Sequence, residues 1–181
     1  MIEVNILAGH KGSGKTTVIE IVNTFGFYAT ELSVQWKYLE ALGFERGERE
    51  GEWSIGVISL VYENLLRRTN ISPIFMSGFS RPIEIDFLQD KGFNCTIIEV
   101  TADTNIRYQR TIQRARGREA EISIEEFNES DLRRLGQVDG YRTNNLNGLL
   151  SLASCKIDNN GSIEELVRQV KNMLKSKGYL R

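Results

Sequence analysis

The sequence has few cysteines, few prolines and no long hydrophobic segment. Its 181 residues include two prolines and two cysteines, Cys95 and Cys155. The cysteines lie far apart in separate apolar runs without a C-x-x-C pattern, so we expect two buried free thiols in a reducing compartment. No apolar run approaches the length that spans a bilayer, and the first residues lack the basic start and apolar core of a secretory signal. We therefore expect a cytoplasmic protein without membrane partners.

The charges of the chain almost cancel. It has 23 lysines and arginines and 24 aspartates and glutamates, which gives a formal net charge of -1. No bulk attraction to nucleic acid is therefore expected, and an anionic ligand would have to be bound by a local cluster of residues. The length and the 40% hydrophobic content predict one globular domain over residues 1–181.

Short apolar runs alternate with longer amphipathic segments, which is typical of parallel strands joined by crossover helices. We predict an α/β fold with a five-stranded parallel sheet flanked by helices. The strands are predicted at residues 2–8, 27–29, 74–76, 95–100 and 152–157. Helices are predicted after Gly14, from Trp53 to Arg68, from Pro82 and from Asn105 to Ala115. Two capping boxes predict further helix starts, at Ser123 with Glu126 and at Ser162 with Glu165.

The first strand runs into a glycine-rich loop. Residues 9–16 read GHKGSGKT and fit the phosphate-loop (P-loop) pattern G-x-x-x-x-G-K-[ST] at every fixed position. Glycines let backbone N–H groups approach phosphate oxygens, and the N-terminus of the next helix adds its dipole. We predict that Lys15 reaches the β and γ phosphates of ATP and that Thr16 ligates Mg²⁺, whereas His10 is a spacer. The residues predicted to bind ATP here are Gly9, Lys11, Gly12, Ser13, Gly14, Lys15, Thr16 and Thr17.

A second cluster of residues is basic. Arg107, Arg110, Arg114 and Arg118 are spaced by three and four residues, so they line one face of a helix and its extension. Arginine presents paired donors that suit phosphate oxygens. With a phosphate loop in the same chain, this helix predicts a lid over about residues 107–137, with Arg110 and Arg114 as catalytic charges. The alternative is a solvated face that pairs with the acidic residues Glu119, Glu121, Glu125, Glu126 and Glu129.

These features resemble the nucleoside monophosphate kinase superfamily, in particular adenylate-kinase-related proteins and dephospho-CoA kinases. Residues 77–81 (SGFSR) resemble the D-G-F-P-R segment of adenylate kinases, whose arginine binds the acceptor phosphate. The stretch from Val100 to Arg110 resembles the strand-to-lid segment of dephospho-CoA kinases. The resemblance implies a P-loop nucleotide kinase fold with a small lid, an acceptor-side insertion at about residues 32–70, and Arg81 as a further catalytic charge.

The chain resembles dephospho-CoA kinases again near its C-terminal end. Residues 157–166 (IDNNGSIEEL) are similar to their I-x-N-x-G-S-x-E-E-L ending, where the loop lies against the adenine base. The resemblance therefore implies that Asn159 and Gly161 bind ATP.

One position departs from the family. The aspartate of D-G-F-P-R helps to hold Mg²⁺ through water, and this chain has Ser77 there, which brings no charge. Glu31, just past the second predicted strand, is the substitute that we expect to hold Mg²⁺ through water. The alternative is that Glu31 is an exposed residue at the start of a helix.

We therefore predict an ATP- and Mg²⁺-dependent kinase that phosphorylates a small nucleotide-like acceptor, with nucleoside monophosphates, deoxynucleoside monophosphates and dephospho-CoA all open. The alternative is an ATP-binding regulator of the same fold that has lost transfer activity, which Ser77 favours. A GTPase is disfavoured because the sequence has no guanine-reading N-K-x-D segment. The oligomeric state is left open.

Overall fold

Five parallel strands form the centre of the molecule. The structure, a computed structural model, describes residues 2–41, 58–59, 71–114, 117–136 and 145–181. The strands are β1 (Glu3–Ala8), β2 (Tyr28–Glu31), β3 (Ile74–Ser77), β4 (Asn94–Thr101) and β5 (Ala153–Asp158). They pair in the order β2-β3-β1-β4-β5, and every pair is parallel. The predicted five-stranded parallel sheet is therefore confirmed.

Helices connect the strands in the described part of the chain. They are α1 (Lys15–Thr24), α2 (Leu32–Ala41), α3 (Pro82–Asp90), α4 (Thr104–Arg114), α5 (Ile124–Leu135), α6 (Leu146–Leu150) and α7 (Ile163–Ser176). A short 3₁₀ helix, Gly117–Glu121, lies between α4 and α5. Apart from residues 58 and 59, the helix predicted from Trp53 to Arg68 lies outside the described residues, as does most of the predicted insertion.

The hydrophobic core covers both faces of the sheet. β1 lies between β3 and β4, and Val4, Ile6 and Leu7 have no exposed surface, as expected for a central parallel strand. Because successive side chains of a strand point to opposite faces, Val4 and Ile6 join the cluster that includes Ile85 and Leu149, and Leu7 joins the other. The sheet therefore holds α3 and α6 on one face and α1 and α7 on the other.

Both predicted helix starts are confirmed, and the two reciprocal bonds of a capping box are present at Ser123. At the start of α5, Ser123 Oγ accepts from the backbone N–H of Glu126 at 3.2 Å, and Glu126 Oε2 accepts from the N–H of Ser123 at 2.9 Å. At the start of α7, Ser162 Oγ accepts from the N–H of Glu165 at 3.3 Å. These bonds satisfy backbone donors that a helix leaves unpaired at its N-terminus.

The two cysteines are free and half-buried, rather than fully buried as the sequence predicted. Burial nonetheless raises the pKa of the Cys95 thiol to about 11. No helix of the described residues is both long and apolar enough to cross a membrane.

The strand order brings separate parts of the sequence to one edge. Strands β1, β2, β3 and β5 all end at the carboxyl edge of the sheet, where ligands bind in open α/β folds. The phosphate loop follows β1, Glu31 and Ser77 are the last residues of β2 and β3, and Asn159 follows β5. Glu31 thus lies in the strand itself, and not just past it as the sequence predicted.

Candidate active site

The phosphate loop takes a conformation that only glycine adopts easily. Gly12 and Gly14 have φ angles of 78° and 97°, which side chains disfavour. A Cβ at Gly12 would lie 2.5 Å from the carbonyl oxygen of Arg107, and one at Gly14 would lie 2.0 Å from Asn159 Nδ2. The loop is therefore packed tightly against α4 and against the residue that follows β5.

Lys15 folds back over the loop that precedes it. Its Nζ donates to the carbonyl oxygens of Gly9 and His10, both at 2.8 Å. Burial, and after it the charge of Arg134, lower the pKa of Lys15 to about 7, although Glu31 acts in the opposite direction. Burial and the neighbouring arginines therefore outweigh the effect of Glu31 on this amine.

Thr16, Glu31 and Ser77 come together beside Lys15. The hydroxyl of Thr16 donates to Glu31 Oε1, and Ser33 Oγ donates to Glu31 Oε2 at 3.0 Å. Glu31 pairs with Ser77 in the register of β2 and β3, and Ser77 is buried. One carboxylate and several hydroxyls make a set of oxygen donors that fits Mg²⁺, which prefers oxygen ligands and keeps several waters. No cluster of three or more His, Cys, Asp or Glu residues that could hold a metal occurs in the described residues.

The arginines of α4 have different partners. Arg107 is buried, donates to Asp131 and to the carbonyl oxygen of Lys11, and lies over the ring of Phe127. It therefore ties α5 to the phosphate loop. His10, which the sequence predicted to be a spacer, also faces Asp131, with Nδ1 at 3.3 Å from Oδ2.

Arg110 contacts the segment that follows β5. Its Nη2 donates to the carbonyl oxygen of Asn159 at 3.0 Å, and Asn159 Nδ2 donates to the carbonyl oxygen of Ser13 at 2.8 Å. Arg110 Nη1 is buried and has no hydrogen-bond partner among the described residues, and burial lowers the pKa of this arginine. An orphaned cationic donor of this kind is suited to an anionic ligand.

Arg114 pairs with an acidic residue of the 3₁₀ helix. Its Nε and Nη2 donate to the two carboxylate oxygens of Glu119 at 3.1 and 2.8 Å. Lys11 Nζ lies 3.0 Å from the same carboxylate. The solvated-face alternative therefore predicted the partner of Arg114 correctly, but both side chains line the cavity at the phosphate loop.

A cavity of about 860 Å³ lies beside the phosphate loop and is lined by Gly12, Gly14, Thr16 and Ser77. Thr17 also lines it, as do three lysines and three arginines: Lys11, Lys15, Lys37, Arg110, Arg114 and Arg134. The acids that line it are Glu31, Glu40, Glu84 and Glu119. Its volume is in the range of small-molecule sites, and the cations concentrate around the phosphate loop.

Arg134 is a cavity residue that the sequence reasoning did not single out. It lies in the last turn of α5, within the range of the predicted lid. The residue as a whole is exposed, but desolvation of its guanidinium lowers its pKa, Asp131 opposes that effect, and Arg114 adds to it. No spacing within the sequence signals this position, because it depends on the contact by which Arg107 holds Asp131 and with it α5.

Five predicted site residues do not line the cavity, namely Gly9, Ser13, Arg81, Asn159 and Gly161. Arg81 precedes α3, and its Nε lies 3.4 Å from Glu84 Oε1. Asn159 is buried and holds Ser13 in place, while a Cβ at Gly161 would meet the Glu165 carboxylate at 2.2 Å. The predicted roles of Arg81 at the acceptor and of Asn159 and Gly161 at the adenine therefore stay predictions.

Comparison with individual known proteins identifies a relative of the chain, although no family model matches it. The UPF0200 protein of Pyrobaculum aerophilum is 30% identical to it over 183 residues, covering 96% of this chain and 98% of that protein. The chain belongs to the UPF0200 family.

Solved structures share the fold of this UPF0200 chain. Shikimate kinase from Bacteroides thetaiotaomicron has a TM-score of 0.61 and 13% identity, covering 98% of this chain and 99% of that chain. A gluconokinase from Sinorhizobium meliloti 1021 has a TM-score of 0.58 and 14% identity, covering 98% and 96%. The predicted P-loop kinase fold is therefore confirmed, but these likenesses do not single out adenylate kinases or dephospho-CoA kinases.

Proposed function

We propose that this UPF0200 protein is an ATP- and Mg²⁺-dependent phosphotransferase that acts in the cytoplasm on a small nucleotide-like acceptor, and not on nucleic acid or a membrane. The observation that carries the proposal is the contact between Thr16 and Glu31 beside the phosphate loop. It supports the proposal because Glu31 lies in register with Ser77, where the families that the sequence resembles have an aspartate. A carboxylate there would repel a bare triphosphate, but it suits a triphosphate that carries Mg²⁺.

Thr16 would hold Mg²⁺ through its hydroxyl and Glu31 through water. Bound there, the ion would neutralise part of the charge of the phosphates. Lys15, Arg110 and Arg114 would position the terminal phosphoryl group and stabilise the charge that develops during transfer. Arg134 is a further candidate for this work because it lines the same cavity and acts electrostatically on Lys15.

The acceptor is proposed to be a nucleoside monophosphate or dephospho-CoA, as the sequence resemblance implies. In that case Arg81, whose Nε lies 3.4 Å from Glu84 Oε1, would bind the acceptor phosphate.

A second acceptor class is favoured by the hydroxyls that line the cavity. There Ser33, Ser77 and Ser80 lie with Lys37, a set of hydroxyls with one amine that suits a small hydroxylated acid. The likeness in fold to a shikimate kinase and a gluconokinase supports including such acids among the candidates.

The proposal is tested by acceptor-stimulated ADP release. The panel contains nucleoside and deoxynucleoside monophosphates, dephospho-CoA, shikimate and gluconate, each measured with and without Mg²⁺. One acceptor should raise the rate far above basal hydrolysis, and Lys15→Ala should abolish that rise. If the protein binds ATP but no acceptor stimulates ADP release, the regulator hypothesis replaces the kinase.

A further inference from the structure

Glu119 occupies an unexpected place at the mouth of the phosphate loop. This acidic residue lines the cavity together with Gly12, Gly14 and Lys15. Its side chain is only 15% exposed, although it belongs to a short 3₁₀ helix that connects two longer helices. A carboxylate in this position would be costly unless cations paired with it.

Among the described residues, Arg114 and Lys11 from different elements both pair with it. Arg114, at the end of α4, donates through two nitrogens to both carboxylate oxygens, and Lys11, in the phosphate loop, lies 3.0 Å from Glu119 Oε1. Burial alone would raise the pKa of Glu119, but the hydrogen bonds from Arg114 and Lys11 outweigh it and lower the pKa to about 2. The group is therefore an anion at any ordinary pH.

The pairing blocks the donors that a phosphate group would use. Planar paired donation from Nε and Nη2 is the mode in which arginine binds carboxylates and phosphates alike. Both of these nitrogens of Arg114 are engaged by Glu119. Arg114 cannot offer the same edge to a nucleotide until the carboxylate leaves, and the charge of Glu119 would repel a triphosphate close to it.

We propose that Glu119 is an internal counter-anion of the phosphate site, which the phosphates of ATP displace from Lys11 and Arg114. Nucleotide binding then releases the 3₁₀ helix from the loop, because the phosphates take the place of the carboxylate. The proposal rests on ATP binding at the loop, which is part of the proposed function, but it does not depend on phosphoryl transfer.

The displacement of Glu119 should weaken the affinity for ATP. A ligand that must displace an ion pair binds more weakly than one that finds the cations free, because part of its interaction energy offsets the lost pair. Removing the charge of Glu119 should therefore tighten ATP binding. If Glu119 instead stayed in place and helped to clamp the nucleotide, removing its charge would weaken binding.

The test compares Glu119→Gln with Glu121→Gln, an exposed glutamate of the same 3₁₀ helix. Calorimetric titration with Mg·ATP, without acceptor, should give a Kd about tenfold lower for Glu119→Gln, or about 1.4 kcal/mol, and a wild-type Kd for Glu121→Gln. An unchanged or higher Kd for Glu119→Gln would overturn the proposal. A wild-type protein that binds no ATP would overturn it together with the ATP site, whereas bound ATP without acceptor-stimulated turnover would refute only the kinase.

A measurement on the wild-type chain covers the case in which Glu119→Gln does not fold. Hydrogen exchange of the backbone amides of residues 117–121 should become faster when ATP is added, because the bonds that restrain this helix are lost. Slower or unchanged exchange in saturating ATP would mean that the carboxylate stays on Lys11 and Arg114, and the proposal would be wrong.

Discussion

Replacing Glu31 with glutamine removes one charge from the phosphate site and keeps the size of the side chain. A glutamine can still accept a hydrogen bond from Thr16 through its amide oxygen, so the end of β2 should keep its local contacts. The change therefore isolates the electrostatic contribution of the carboxylate. Thermal melting should show little difference between this variant and the wild type.

The expected loss follows from the position of the charge. At an effective dielectric constant of about 20, two unit charges about 4 Å apart interact by about 4 kcal/mol. Water and the remaining amide dipole reduce this figure, so we expect a loss of about 1.4 to 3 kcal/mol in the barrier, which is about 10- to 150-fold in kcat. The Mg²⁺ concentration at half-maximal rate should rise as well.

A second readout comes from Lys15. Its pKa of about 7 is set mainly by burial and by Arg134, and Glu31 partly counteracts them. Without the charge of Glu31 the pKa should fall further, so the alkaline limb of the pH–rate profile should move to lower pH. A merely structural role for Glu31 would not move this limb.

The assay is acceptor-stimulated ADP release over a range of Mg²⁺ concentrations. Ser77→Ala should change the rate much less, because a hydroxyl contributes no charge, and Glu20→Gln, an exposed glutamate on α1, is the matched control. Full activity of Glu31→Gln, or a larger loss for Ser77→Ala, would refute this account of the metal site.

Three further predictions concern the cations. Lys15→Ala should abolish transfer with an unchanged melting temperature, because its side chain bonds loop carbonyls and not the core; turnover and melting are measured together. Arg110→Lys and Arg114→Lys should each lower kcat more than about tenfold, or 1.4 kcal/mol, and unchanged steady-state kinetics in both would return them to a structural role. The affinity for ATP should decrease as the pH rises from about 7.5 to 9, because Lys15, with a pKa of about 7, must take up a proton to bind phosphate as a cation. In titrations at each pH, Lys15→Arg should flatten this dependence.

The parts of the site that the sequence predicts are those that follow from local chain geometry. The phosphate loop needs glycine at fixed spacings because backbone must approach phosphate closely, so its pattern is readable without a structure. Glu31 and Ser77 end two strands, and parallel strands present their carboxyl ends at one edge, so their presence at that edge could be anticipated, whereas their pairing depends on the strand order. Their common feature is that short sequence segments determine them.

Arg134 was not predicted because its place depends on how two distant elements pack. α5 returns over the phosphate loop because Asp131 binds Arg107, which itself donates to the loop at Lys11. No spacing within α5 reveals that contact, since the partners are 24 residues apart in sequence. The order of the strands is set in the same way, by packing between segments that are far apart.

The arginines of α4 show what helical periodicity can predict and what it cannot. Their spacing predicted one face with one role, yet Arg107 is buried against Asp131, Arg110 contacts Asn159, and Arg114 binds Glu119. A helix of 11 residues is about 16 Å long, so residues on one face meet different neighbours along its length. Periodicity therefore indicates which residues share a face, while the neighbouring elements decide which arginine anchors the fold and which remains available to a ligand. By this reasoning Arg110, with its unpartnered Nη1 among the described residues, is ready for an anion, whereas Arg114 must first release Glu119.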